Sequence, residues 1–271
     1  MLQREIPSSK ELLPVIGLGT WQTFDVSNNA DYAPLKEVLQ QMHAAGGTLI
    51  DSSPMYGRAE EVTGNLTSET SIQNDFFYAT KVWTQGKEEG IRQMEASFSK
   101  MKRTTIDLMQ IHNLVDWKTH LDTLRNWKEE GRIRYIGITH YTNAMHEDLE
   151  KIITSIPLDF VQFNYSIVAR NAEKRLLPAA ADHGVATLIN RPFGEGALFS
   201  KVEGKTLPAW AASYNIKSWS QLFLKFILSL PAVTCVIPAT SNPAHLADNM
   251  QAGIGQLPDK KEREKMAALF K

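Results

Sequence analysis

The chain has 271 residues, 43% of them hydrophobic and 22% charged, proportions that supply a sizeable core and exclude a disordered polypeptide. Its 29 basic and 30 acidic residues are interspersed and leave a formal charge of −1, so no broad basic field is available to hold nucleic acid or anionic lipid. The single cysteine, Cys235, rules out an intramolecular disulfide, the N-terminus lacks the apolar core of a secretory signal, and no stretch is apolar for long enough to span a bilayer. A soluble cytoplasmic protein with no membrane partner is therefore expected.

Met1 to Leu13 reads as a small hairpin turning at Ser8-Ser9-Lys10, suited to plug the bottom of a barrel. From Val15 onward short apolar runs alternate with amphipathic stretches of helical spacing, the pattern of repeated βα units. The strand runs are Val15–Thr20, Thr48–Ser52, Phe76–Val82, Ile106–His112, Tyr135–Thr139, Phe160–Asn164, Val185–Asn190 and Cys235–Pro238. Between them, the helix over Leu35 to Ala45 stops at Gly46-Gly47, and the one over Leu121 to Glu130 stops at Gly131, glycines that admit left-handed backbone. Gly194 to Pro208 is the longest irregular piece, a loop of the length that often carries function. Ser218 to Leu230 is the most apolar helix, expected to bury a broad face ahead of Pro231, and helical segments near Ala244–Gln251 and over Asp259–Phe270 close the chain. No linker rich in Pro, Gly or Ser interrupts this order, so one domain over residues 1–271 is expected.

Four polar residues, Asp51, Tyr56, Lys81 and His112, stand at or just past the C-terminal ends of three successive runs. In a barrel of parallel strands those ends open onto one face, where active sites of that architecture gather. A tyrosine is a poor proton donor near neutral pH unless a neighbouring ammonium stabilises its phenolate, and Lys81 would supply that charge. A lysine in an apolar strand end needs a carboxylate partner, which Asp51 on the adjacent strand would provide. His112 would orient a substrate oxygen or help move its proton. Taken singly, each has a plainer reading: Asp51 as a turn residue, Tyr56 as a packed loop aromatic, Lys81 as a solvated cation, His112 as a hydrogen-bonded structural histidine.

Seven segments in order, Gly17-Leu-Gly-Thr-Trp21, Asp51-Ser-Ser-Pro-Met-Tyr-Gly-Arg-Ala-Glu-Glu61, Ala79-Thr-Lys81, Asp107-Leu-Met-Gln-Ile-His112, Gly131-Arg-Ile-Arg-Tyr-Ile-Gly137, Gln162-Phe-Asn-Tyr165 and Ile237-Pro-Ala-Thr-Ser-Asn-Pro, span nearly the whole chain. In this order the chain resembles the aldo-keto reductases. The resemblance implies an α/β fold, a (β/α)8 TIM barrel, that binds NADPH in extended form and reduces an aldehyde or ketone by hydride transfer. It makes Tyr56 the general acid, Lys81 its pKa tuner, Asp51 the partner of that lysine, and His112 the residue that orients the carbonyl.

The same resemblance assigns the cofactor. Gly19, Thr20, Trp21 and Asp51 would border it; Thr139, His140, Gln162, Asn190 and Arg191 would lie near the nicotinamide; and Pro192, Phe193, Gly194, Gly196 and Leu198 match the pyrophosphate loop. Ile237, Pro238, Ala239, Thr240, Ser241, His245, Asp248 and Asn249 match the adenosine-phosphate segment, where hydroxyls and a helix N-terminus suit an anion and favour NADPH over NADH. Trp21, Tyr56, Trp83 and His112 would line an open, permissive substrate pocket, with Met55 and Trp117 as outer contacts. The seven histidines lack metal-ligand spacing, so no metal is expected, and nothing in the sequence assigns an oligomeric state. Two other readings stay open: a nucleotide-sensing protein on this scaffold with little turnover, and a barrel aldolase or isomerase using Lys81 as a Schiff base.

Overall fold

A computed structural model describes residues 1–270; Lys271, the last residue of the expected domain, lies outside the described residues. The N-terminal hairpin pairs β1 (Gln3–Glu5) with β2 (Leu12–Pro14). Eight parallel strands follow, β3 (Leu18–Gly19), β4 (Leu49–Asp51), β5 (Phe77–Val82), β6 (Ile106–His112), β7 (Ile133–Thr139), β8 (Phe160–Asn164), β9 (Ala186–Asn190) and β10 (Cys235–Val236), each hydrogen-bonded to its neighbour in sequence order. The seam between first and last is closed by Val236 N to Val15 O at 2.9 Å, Gly17 N to Val236 O at 2.9 Å and Gly19 N to Pro238 O at 3.1 Å. All eight strands fall within or across the eight apolar runs. The outer two are shorter than their runs because only isolated bridges, Ile16 to Val236 and Gly19 to Ala239, form across that seam.

The helices are α1 (Ala33–Ala44), α2 (Ala59–Ser68), α3 (Lys87–Lys100), α4 (Trp117–Glu129), α5 (His146–Ser155), α6 (Leu176–Asp182), α7 (Ala197–Val202), α8 (Trp219–Leu228), α9 (Pro243–Gln251) and α10 (Lys260–Ala268). They form because the apolar residues recur at helical spacing: α1 buries Leu35, Val38, Leu39 and Met42. In α8 the Ser218 hydroxyl caps the Gln221 N–H at 3.0 Å, and the residues after Trp219 are buried. The segment from Gly194 to Pro208 differs from the expected irregular loop, since α7 lies within it. Leu198 and Val202, four residues apart, are buried there, and Phe199 meets Phe223 of α8 edge-on. A tertiary contact therefore selects a helical turn that local sequence does not signal. Among the described residues, no helix is long and apolar enough to cross a membrane.

Strand parity divides the interior. Ile50, Met109, Ile111, Ile136, Ile138, Val161 and Ile189 point out to the helices, in one apolar cluster. Leu49, Phe77, Ala79, Leu108, Tyr135, Phe160, Leu188, Cys235 and Ile237 point inward, and Ile6 and Leu13 of the hairpin join them to plug the bottom as expected. Each buried Leu, Ile or Phe among them stabilises the fold by roughly 1.5–3 kcal/mol of transfer free energy before the cavity term is added. Arg4 fastens the plug by donating to the Leu228 carbonyl at 2.5 Å and the Leu230 carbonyl at 2.9 Å, as well as to the Val233 carbonyl. With the lower barrel filled by hydrocarbon, the upper inward positions are left to Asp51, Lys81, Gln110, His112, Thr139, Gln162 and Asn190.

Candidate active site

Asp51 ends β4 and Lys81 is the last but one residue of β5, so neighbouring strands bring their side chains together inside the barrel mouth. Lys81 Nζ lies 2.7 Å from Asp51 Oδ2 and donates to the Ser52 carbonyl at 2.6 Å. The lysine is fully enclosed and the carboxylate 3% exposed, so the pair holds two charges in a low-dielectric interior. Burial works to discharge Lys81, but Asp51 and then Tyr56 outweigh it and hold the ammonium pKa above its ordinary value. The remaining carboxylate oxygen, Asp51 Oδ1, accepts from Gln110 Nε2 and Gln162 Nε2, each at 3.0 Å.

Tyr56 reaches this pair from the loop between β4 and α2. A turn closed by Tyr56 N to Ser53 O at 3.0 Å leads into Gly57, whose φ of +58° and lack of a side chain admit Asp25, whose carboxylate would lie 2.3 Å from any Cβ there. Asp25 in turn accepts from Arg58 N at 2.9 Å, which locks the loop. The Lys81 ammonium then sits 4.8 Å from the Tyr56 ring centroid. Burial raises the phenol pKa; Lys81 opposes that and Asp51 adds to it, and the sum lies above the ordinary value. The ammonium does act in the expected direction, yet desolvation outweighs it, since much of its charge is answered by Asp51.

His112 ends β6 with its ring edge-on to Tyr56, centroids 5.8 Å apart. Burial, then the charge of Lys81, push its pKa down to about 2, so the imidazole is neutral. The Ser53 hydroxyl accepts from Met55 N at 3.3 Å and lies 3.0 Å from His112 Nδ1; when that hydroxyl donates to Nδ1, the ring hydrogen stands on Nε2. His112 thus offers a neutral N–H donor beside the phenol.

Asp51, Tyr56 and His112 line one cavity of about 560 Å³ at the C-terminal barrel face, and Lys81 is enclosed behind its wall against Asp51 and Tyr56. Of the expected cofactor residues, Gly19, Thr20, Trp21, Asp51, Thr139, Gln162, Asn190, Arg191, Pro192, Phe193, Gly196, Ile237 and Ala239 line it, as do Trp21, Tyr56, Trp83 and His112 of the expected substrate pocket. Met55 also borders it, whereas Trp117 packs against the core. The other expected residues lie outside the lining. His140 turns Nδ1 back to accept from Tyr141 N at 2.9 Å, Leu198 is buried in α7, and Gly194 and Pro238 are not among the lining residues. Thr240 accepts from Asn242 N at 3.1 Å, while Ser241 and His245 are exposed at the start of α9. Asp248 accepts from Ser218 at 2.5 Å and Gln221 at 2.6 Å, and Asn249 accepts from Ser220, so both bind α9 to α8.

The sequence analysis assigned no site role to Tyr141 and Phe199, which are exposed at the rim, or to Gln22, Thr23, Asn113 and Glu195, which also line the cavity. It also passed over Ser53 and Gln110, although inward parity two residues before His112 marks Gln110. Arg191 stacks over the Tyr141 ring at 4.6 Å and pairs with Glu195, tying the loops after β7 and β9 across the mouth.

The chain is similar in sequence and fold to known proteins. An aldo-keto reductase of Mycobacterium sp. strain JLS is 28% identical over 244 residues, 88% of this chain and 82% of that protein. The Bacillus subtilis aldo-keto reductase YhdN is 27% identical over 203 residues, 69% of this chain and 60% of that protein. A Klebsiella pneumoniae aldo-keto reductase crystallised with NADPH superposes with a TM-score of 0.81 at 21% identity, covering 100% of this chain and 96% of that one, a likeness of fold. The sequence model of the aldo/keto reductase family matches residues 15–266, from the seam of the barrel through its last helix, and on that match the chain belongs to this family of oxidoreductases.

Proposed function

We propose that the protein reduces small aldehydes or ketones to alcohols with NADPH, and that Tyr56 is the general acid. The observation that carries this reading is a phenol and a neutral imidazole lining one cavity, with a carboxylate-anchored ammonium enclosed against the phenol behind its wall. The Asn190 side-chain oxygen supports the cofactor assignment: it is buried and without a partner beside Thr139 and Gln162, in a place that suits the N–H of a nicotinamide carboxamide. NADPH in preference to NADH follows from the exposed Ser241 and His245 at the N-terminus of α9, where an added phosphate would find donors and the helix dipole.

When bound, the reduced nicotinamide would supply a hydride to the carbonyl carbon. The carbonyl oxygen would lie between the Tyr56 hydroxyl and His112 Nε2–H, so both polarise it and His112 fixes its direction. As negative charge builds on that oxygen, Tyr56 passes its proton across and becomes a phenolate. Lys81 stabilises that phenolate, and Asp51 keeps Lys81 charged in its buried position. Trp21 and Trp83 give the cavity apolar walls.

The test is NADPH oxidation over a panel of aldehydes, ketones and sugars, with para-nitrobenzaldehyde as a first probe. Turnover that falls by about a hundredfold or more in Tyr56→Phe, with NADPH binding by fluorescence retained, supports the reading. Unchanged turnover in that variant refutes the acid, and equal affinity for NADH and NADPH refutes the cofactor preference.

A further inference from the structure

Gln110 lies in the middle of β6, fully buried and behind the cavity wall, in a barrel interior otherwise filled by hydrocarbon below it. Its Nε2 donates to Asp51 Oδ1 at 3.0 Å, and its Oε1 accepts from Gln162 Nε2 at 3.1 Å. A carboxylate only accepts, so the amide orientation of Gln110 is fixed by Asp51. Gln162 is then saturated: its two amide hydrogens go to Asp51 Oδ1 and Gln110, and its Oε1 accepts from Thr139 at 3.2 Å and Asn190 at 3.4 Å. The neighbouring strand is built around Gln110. Its register partner on β7 is Gly137, where a Cβ would lie 3.0 Å from Gln110 Cγ and 3.2 Å from the Phe160 carbonyl oxygen.

We propose that Gln110 is a positioning residue for the Tyr56 acid, an inference that rests on the reduction reading above. Asp51 has one oxygen for Lys81 and one for amides, and Gln110 holds the second so that the first faces the ammonium. Gln162 lines the cavity and can engage a carboxamide there only by giving up one of its present bonds. Gln110 cannot reach the cavity, so it keeps Asp51 satisfied and turned toward Lys81 while Gln162 moves. The chain Asn190, Gln162, Gln110, Asp51, Lys81 thereby links the cofactor end of the cavity to the acid through side-chain hydrogen bonds alone.

Gln110→Met keeps the volume and removes the donor. The consequence for Tyr56 has a definite direction: with one amide fewer on Asp51 Oδ1, the carboxylate charge is less damped and raises the phenol pKa, the direction in which Asp51 already acts. The expected result with para-nitrobenzaldehyde is a kcat about tenfold lower, KM and NADPH affinity within about twofold of the wild type, and a basic limb of kcat displaced to higher pH. A wild-type kcat with an unmoved limb overturns the assignment, as does a fall in kcat, NADPH affinity and thermal stability together, which marks a packing residue. Tyr56→Phe measured alongside separates the two ideas. If it retains turnover, the acid and the role of Gln110 fall together; if it is inactive while Gln110→Met is normal, only Gln110 is misassigned.

Discussion

The buried pair at the barrel mouth makes Asp51→Asn the most demanding test of the electrostatic reading. With Lys81 fully enclosed and the Asp51 side chain 3% exposed, the substitution leaves an ammonium without its counter-charge in a site closed to water. Removing one partner of such a pair costs about 3–5 kcal/mol. Deprotonating Lys81 at about pH 7, from an ordinary value of 10.5, costs about 5 kcal/mol at roughly 1.4 kcal/mol per unit, which caps the loss. The carboxamide introduced by the substitution can accept from the amides of Gln110 and Gln162 only by turning its own N–H groups toward the Lys81 ammonium, so the upper end, about 5 kcal/mol, is expected. The pH dependence has a definite sign. In the wild type the Lys81 pKa is raised on folding, so its contribution is complete below 10.5 and disappears only as pH climbs through the folded value. In the variant the folded pKa drops below the unfolded one, the unfolded chain binds more protons between the two, and stability increases with pH across that window. Urea unfolding followed by both circular dichroism and tryptophan fluorescence, at about pH 7 and about pH 9.5, should show the gap to wild type narrowing as pH rises. A loss below about 1 kcal/mol at neutral pH, or a gap independent of pH, would show that the pair does not carry the buried charge as argued.

Two further outcomes follow from groups outside that pair and from His112. Burial works against ionisation of Glu173, but hydrogen bonds from Arg170, Arg263 and Tyr165 hold its pKa down at about 2, from 4.5, so its contribution is complete above 4.5 and is lost as pH falls toward 2. Glu173→Gln is expected to lose about 2 kcal/mol near neutral pH and to show a shallower decline in urea midpoint over that acid window; an unchanged slope would exclude the assignment. Because His112 is held neutral down to about 2, the pH profile of kcat/KM for carbonyl reduction should show no histidine limb near 6.5. A limb there that disappears in His112→Asn would mean the imidazole is charged in the working enzyme.

Period-2 alternation made the barrel and most of the site readable from the sequence. Once Asp51, Lys81 and His112 were set at strand ends, their inward parity followed, and the bonds between Asp51 and Lys81 agree with it. Gln110 shared that parity and was overlooked because, flanked by Met109 and Ile111, a single uncharged polar residue is cheap to read as an exception to the core. Its partners lie 59 and 52 residues away, and only the closed sheet brings them near. His140, expected near the nicotinamide from its position alone, has its Nδ1 turned to the backbone N–H groups of Tyr141 and Thr142. Short polar side chains at loop starts compete for such local bonds, and position alone does not reveal which they make. The helix over Ala197–Val202 depended on Phe223, on a helix that begins more than a dozen residues later, and periodicity within six residues cannot signal it.

The direction of the Tyr56 shift refines what the ammonium is for. A group that donates a proton at neutral pH must first hold one, and burial keeps the phenol protonated with a margin above its ordinary value. Lys81 does not ionise Tyr56 in advance. Had its charge been unanswered, it would have drawn the phenol toward phenolate before any carbonyl oxygen was there to accept the proton; Asp51, held by Gln110 and Gln162, moderates it. The ammonium then matters most after transfer, when a phenolate stands 4.8 Å from ring centre to charge and burial has become a cost. An acid that is inert alone and competent only beside a developing oxyanion follows from those opposing effects, without a strongly lowered phenol pKa.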